Sequence, residues 1–527
     1  MTENLTHRQK MLTFAGILLA MFLGSLDQTI VSTALPRIVA DLHGLDRFTW
    51  VATAYLVAST TLVPIYGKLA DTYSRRKIEV AAVSIFLVGS MLCGLAGEFG
   101  DLPLLGDGMN QLVVFRAIQG FGGAGLFAMA FIIIADLFPP AERGRYQGFT
   151  GAVFGTSSVL GPLLGGFLTD QGSNWIPGVA GWRLVFYVNL PLGLVALWFI
   201  LTQMPALRPQ TEAKPLDYFS AFLLMTGLGP LVVALQINKT AYPWTSPFTL
   251  TLLGVAAASL VLFVVRSMRH DNPILDFNLF RNHVFRTANG ALFLLGGAFL
   301  GIIIFEPLFM VNVLGVTATK AGVSLIPLSM GVVLGSLLAG QMVSRFGHYK
   351  RWMMGGLVVL LGGLSLLATM PVTVGYWQVL AYLLLCGVGL GPTMPLYTLA
   401  IQNAIEPHLM GQATSASQFF RQIGGAITAS VLGAILTFTL AHSMPASATP
   451  VSPTAQQTTV SEGPALPASV AGAPASPAMR SAFSSAISRV YMFNIFLVLG
   501  GLFMTLFVPE LPLRKSNSPD TLVPSAE

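Results

Sequence analysis

GSLDQTIVSTALP, residues 24–36, sets an aspartate, Asp27, inside an almost unbroken apolar run. An acid in such a run must have a partner, a water path or a task, and which applies depends on what surrounds it. The chain of 527 residues is 54% hydrophobic and 9% charged. Soluble domains carry roughly a quarter charged residues, so the apolar excess here is too large for a single core and must face lipid. The net charge of +6 is dispersed over short loops and is no nucleic-acid footprint. Cys93 and Cys386 both lie in apolar segments, where small core residues are expected rather than a disulfide or metal pair.

A membrane-crossing helix needs about 20 mostly apolar residues. That ruler places fourteen spans, near 11–34, 49–69, 78–98, 110–136, 144–169, 184–203, 217–237, 247–266, 286–313, 318–342, 351–370, 376–401, 411–441 and 488–508. The alternation of a β-barrel is absent, so the fold class is an all-α membrane protein. The first run is long enough to span and is read as a retained helix, not a cleaved leader. With the N-terminus inside, nineteen lysines and arginines fall on the inner side and seven on the outer, which predicts both termini in the cytoplasm. Residues 443–485, rich in Pro, Ala, Ser and Thr, read as a disordered outer loop. The tail 514–527 reads the same way on the inner side.

GKLADTYSRRK at 67–77 after the second span is echoed by GQMVSRFGHYKR at 340–351 after the tenth. The echo falls at matching places if two spans are inserted between two sets of six. This gives an N-terminal six-helix bundle over 1–203, two inserted helices over 204–285, and a C-terminal six-helix bundle over 286–513. Parallel repeats of this kind are one transporter plan. LDQTIVSTALP at 26–36, GKLADTYSRRK, LVVFRAIQGFGGAG at 112–125, GTSSVLGPLLGG at 155–166 and WRLVFYVNLPLG at 182–193 occur in fixed order. As a set they resemble the major facilitator superfamily, in particular its fourteen-span drug:proton antiporter branch, over essentially the whole length. Two departures stand in the cytoplasmic motif: Thr72 replaces the usual basic residue and Ser74 the usual glycine. The second copy has Ser344 where the first has Asp71, so its interaction is expected to be weaker.

Charges well inside spans are costly and functional by default, at least about 2.5–3.5 kcal/mol each on insertion scales. Four are evident: Asp27, Arg116, Glu306 and Arg421. At 1.5 Å per residue, Asp27 lies roughly 13 Å from the outer end of its span and Arg116 roughly 9 Å into its own. The two spans run in opposite directions, so the side chains can meet and relieve each other's desolvation. The pairing is either a fixed structural bridge or a proton-coupling element. Glu306 has no basic residue near it in sequence and suits a proton carrier, a cation site, or a side chain reaching the outer interface. Gln119, Gln402, Asn403, Gln418 and Arg421 are further candidates for a polar substrate cavity, with helix packing the alternative for the amides and a link within the bundle for Arg421. On the inner side, Asp71, Arg75, Arg76, Asp136 and Arg143 are candidates for a gate, since a carboxylate there can bind a helix N-terminus or an arginine. Gly155, Gly161, Gly165 and Gly166 permit close helix approach and Pro162 favours a bend. The resemblance adds the expectation that this helix seals against proton leak.

The sequence holds no phosphate loop, metal-spaced His/Cys set or nucleophile elbow, so no enzyme and no cofactor are expected; a proton gradient is the energy source. The expected activity is proton-coupled antiport of amphipathic, often cationic drugs by a monomer in the cell's inner membrane. The alternatives are export of a lipid, siderophore or metabolite, and a membrane sensor or scaffold that does not transport.

Overall fold

The computed structural model describes residues 5–103, 105–176, 178–207, 216–237, 239, 242–443 and 477–516. Fourteen helices are long and apolar enough to cross a bilayer: α1 His7–Asp41, α2 Phe48–Thr72, α3 Arg75–Gly94, α4 Gly108–Leu137, α5 Pro140–Trp175, α6 Gly181–Gln203, α7 Tyr218–Gln236, α8 Pro247–Ser267, α9 His283–Asn312, α10 Lys320–Phe346, α11 Tyr349–Ala368, α12 Tyr376–Ala404, α13 Pro407–Ser443 and α14 Pro477–Leu506. In hydrocarbon every backbone N–H and C=O must find a partner within the segment, and the helix meets that demand. Because the count is even, α1 starts and α14 ends on the same side, called the terminal face below.

The packing repeats itself. In the first six helices, α1 lies on α5 and α6, while α4 takes both α2 and α3. In the last six, α9 lies on α13 and α14, while α12 takes both α10 and α11. Adding eight to each number turns the first pattern into the second, so the weak echo in the sequence is the trace of a duplicated bundle. The two bundles meet along two seams, α2 on α13 and α5 on α10, which the same operation exchanges. The inserted pair obeys neither pattern. Helix α7 packs on both α2 and α13, over one seam, and α8 packs chiefly on α7.

Each seam is closed on the half nearest the terminal face. Gly144 and Gly148 of α5 pack against Gly340 and Ser336 of α10, and a Cβ on Gly148 would lie 2.8 Å from the Ser336 carbonyl. Across the other seam the Thr60 hydroxyl donates to Gln422 Oε1 at 2.9 Å. Thr60 is twelve residues from the end of α2, hence about 18 Å from that face.

Three boundaries differ from the sequence reading. Helix α1 runs through Pro36 to Asp41; the ring costs the helix the one ladder bond to the Ser32 carbonyl, and the Ser32 and Thr33 hydroxyls donate to the Thr29 and Ile30 carbonyls just before it. Residues 477–485, expected in the outer loop, are the first turns of α14, where a leading proline and several alanines favour helix; 444–476 lie outside the described residues. The tail is anchored at its start. Arg514 is buried, its guanidinium donates to the Gln402 carbonyl at 2.9 Å, and its backbone N–H to Asn403 at 3.2 Å. Residues 517–527 lie outside the described set.

Candidate functional site

The acid of the opening motif sits in a closed polar network inside the first bundle. Asp27 is fully buried. Its Oδ2 accepts from Arg116 Nη1 at 2.5 Å. Its Oδ1 accepts from Gln119 Nε2 at 2.8 Å and from Asn189 Nδ2 at 3.0 Å. Arg116 also donates to Gln119 Oε1 at 2.7 Å, and its guanidinium lies 4.4 Å from the centre of the Tyr55 ring. Asn189 reaches on to Ser90 Oγ at 3.0 Å. Five helices, α1, α2, α3, α4 and α6, thus contribute to one network around the carboxylate. Small residues allow it: Gly120 lets α4 approach α2 so closely that a Cβ there would stand 2.7 Å from the Tyr55 carbonyl. Arg116 and Gln119, one turn apart on α4, therefore face the acid together.

Asn189 and Tyr55 were not singled out in the sequence. Asn189 opens the second segment of α6, after a break at Val188, inside the quoted stretch WRLVFYVNLPLG. The signal was an amide beside a proline in an apolar run. Glu79 was also missed, lying at the expected edge of the third span. It is fully buried, and neither of its carboxylate oxygens has a hydrogen-bond partner among the described residues.

The second bundle holds a different acid. Glu306 on α9 is fully buried, so it does not reach out to the interface. Tyr491 of α14 donates to Oε2, and Oε1 has no partner among the described residues. One turn along α14, Asn494 is fully buried, and among the described residues neither side-chain atom has a partner. Arg421 on α13 is half-buried; its Nη2 lies 3.4 Å from Gln418 Oε1, and its Nε has no partner among the described residues.

Two expected cavity amides belong to packing instead. Gln402 is fully buried and bridges the bundles: Gln147 donates to it at 2.8 Å, and it donates to Thr414 at 3.1 Å. Asn403 holds the tail through Arg514 and Pro512. An amide on a helix reads alike in sequence whichever way the bundle turns it.

On the terminal face, Asp71 lies across the α2–α13 seam. Its two oxygens accept from the backbone N–H groups of Gly411 at 2.7 Å and Gln412 at 2.8 Å. These are the first free donors of the long α13 helix, where the macrodipole favours a negative charge. Arg75 lies 3.8 Å from Asp71, donates to Asp136 at 2.9 Å, and also bonds the Ala70 carbonyl. Arg143 caps the end of α4, donating to the Ala135 and Phe138 carbonyls at 2.8 Å each. Arg76 does not join this cluster; its guanidinium bonds the Leu201 carbonyl of α6. The duplicate site is Ser344, which accepts from the Arg145 backbone N–H at 3.0 Å near the start of α5. Its hydroxyl donates to the Glu142 carbonyl at 3.4 Å, so two neutral bonds there replace two charge-assisted ones.

The glycines of α5 divide by face. Gly155 packs on α10, whereas Gly161 and Gly165 pack on Thr29, Ile30 and Thr33 of α1, with Pro162 between them. Gly166 faces open space and supports no helix contact. Away from these sites, a groove of ≈ 630 Å³ lies between α7, α13 and α14, walled by Leu235, Ile427, Val431, Ile435 and Phe438, with Arg489 as its charged residue.

The model of the Major Facilitator Superfamily matches residues 17–429. The chain belongs to that superfamily. Among its relatives, "Multidrug transporter protein MdtP" of Bacillus subtilis is 36% identical over 436 residues, 83% of this chain and 77% of the relative. "Multidrug resistance protein 3" of the same organism is 37% identical, over 80% of this chain and 78% of that one. The solved structure of the proton:xylose symporter XylE superposes with a TM-score of 0.62 at 14% identity, covering 97% of this chain and 98% of that one. That likeness shows the fold: two six-helix bundles of a major facilitator, here with two inserted helices. The protein is a multi-pass membrane transporter and not an enzyme.

Proposed function

We propose that this chain exports amphipathic, often cationic compounds in exchange for protons, from a cytoplasmic membrane with both termini in the cytoplasm. The observation that carries the reading is the Asp27 carboxylate, buried inside the first bundle yet bonded by three movable side chains, Arg116, Gln119 and Asn189. Protonation would weaken its hold on Arg116 and bias the bundle towards another arrangement; loss of the proton would restore it. Glu306, with one oxygen unpartnered, is the second acceptor. With the termini inside, seams closed at the terminal face support reading the arrangement as open to the outside. The similarity to two multidrug proteins supports drugs as cargo.

The test is purified full-length protein in sealed liposomes with an imposed pH gradient and a panel of cationic, neutral and lipid-like compounds. The expected result is cation efflux coupled to proton entry, lost in Asp27→Asn and Glu306→Gln variants that still insert. Equal efflux by both variants and the parent would sink the scheme. The groove beside α7 favours a second reading, an amphipathic anionic or lipid cargo. It predicts flux of such compounds, reduced in Arg489→Gln, with no dependence on Glu306.

A further inference from the structure

The inserted pair has no counterpart in the duplicated packing, yet the chain leaving it is bonded to both sides of the α2–α13 seam. Lys68 of α2, three residues before Asp71 and so on the same face of the helix, donates to Asn272 Oδ1 at 2.5 Å. Four residues further along the same loop, the Asp276 backbone N–H donates to Gln412 Oε1 at 3.0 Å. Gln412 is the residue whose own N–H is held by Asp71. The loop therefore touches α2 and α13 at the same two turns that the Asp71 contact joins.

The loop's own base is rigid. Asp217, at the start of α7, takes Arg266 of α8 through two bonds of 2.9 and 3.0 Å and accepts from the Ser220 hydroxyl at 2.6 Å. Its other end is fixed as well, since Asp276 accepts from the Asn278 N–H at 2.9 Å and so caps the turn that leads into α9. Helix α7 itself lies on α2 and α13 together. Neither helix can move away from the other at this face without breaking a bond to the loop or dragging the inserted pair with it.

We infer that the inserted pair is a brace for the terminal-face gate, with Asn272 and Gln412 as positioning residues that hold α2 and α13 in register for the Asp71 contact. The inference rests on reading Asp71 as a latch, and the experiment separates the two.

The full-length protein in lipid nanodiscs carries a reporter, Ser336→Cys, at the other seam, where Ser336 is fully buried between α5 and α10. Maleimide labelling is read site by site by mass spectrometry, and buried Cys93 in the first bundle serves as the control. Asn272→Ala and Gln412→Leu are expected to raise the reporter's labelling rate about 3- to 10-fold, the range for losing one hydrogen bond, with Cys93 silent. Asn272→Asp keeps an acceptor for Lys68 and should label like the parent. The brace is refuted if both deletions label like the parent while Asp71→Asn labels faster, or if Cys93 labelling rises in step and marks general loosening. If Asp71→Asn itself labels like the parent, the latch reading falls, and the brace with it.

Discussion

The two bundles carry the same packing and opposite treatments of a buried acid. Asp27 has Arg116, Gln119 and Asn189. Glu306 has Tyr491 alone, and beside it Asn494 is unpartnered. The first carboxylate has both oxygens bonded, to a cation and two amides, and its place depends on every partner staying. The second has one neutral donor and one oxygen with no partner among the described residues. The difference separates an acid built into a network from one whose surroundings leave an oxygen open.

The largest effect should come from breaking the charge balance of the first site. Arg116→Gln leaves Asp27 buried without its cation, and a loss of about 3–5 kcal/mol is expected, read as a large fall in thermal stability of the purified protein. Combining it with Asp27→Asn should recover much of that loss; strict additivity would contradict the coupling. Next comes Tyr491→Phe, which takes away the donor that Glu306 has. About 1.5–3 kcal/mol is expected if Glu306 is ionised, and about 0.5–1.5 if it is protonated. The smaller value at neutral pH, growing in alkaline buffer, would mark Glu306 as the acid that holds a proton.

A smaller loss, about 0.5–1.5 kcal/mol, is expected for Asn189→Ala, because Oδ1 of Asp27 keeps Gln119. If it equals the Arg116→Gln loss, the network does not share its load as described. The mildest test uses an acid outside the membrane as reference. Burial tends to raise the Asp217 carboxyl, but the bonds from Arg266 and Ser220 outweigh it and hold the group well below the usual carboxylate range. A depressed folded-state value contributes stability that is complete above the unfolded value of about 4 and is lost as pH falls below it. Asp217→Asn should therefore reduce thermal stability at pH 7 and make progressively less difference below about pH 4. A deficit that does not change with pH would exclude the ion pair as its cause.

Much of this was legible in the chain. Apolar length fixed the helix count, and the order of five motifs pointed to the family. Opposite span directions brought Asp27 and Arg116 together even though the depth was misjudged: α1 continues past Pro36, so the acid is fourteen residues, about 21 Å, from its end. What could not be read was rotation. Gln402 faces a seam, Asn403 holds the tail and Gln119 binds the acid, yet all three look alike as amides in apolar helices. Tyr491 was not singled out, because its role exists only through a partner 185 residues away. Glu79 was hidden by an uncertain helix boundary.

The seam between α5 and α10 has one more consequence. Where Gly144 meets Gly340 and Gly148 meets Ser336, the nearest atoms are mostly backbone and hydroxyl, with the Val343 side chain beside Gly144 and the Val333 side chain beside Gly155 further along. Interdigitated leucines would have to leave their sockets, losing many small dispersion contacts at once. Two nearly smooth helix faces can part and rejoin with little to re-register, as a bearing does. A single bulky residue there would act as a stop, because nothing in the contact leaves room for it.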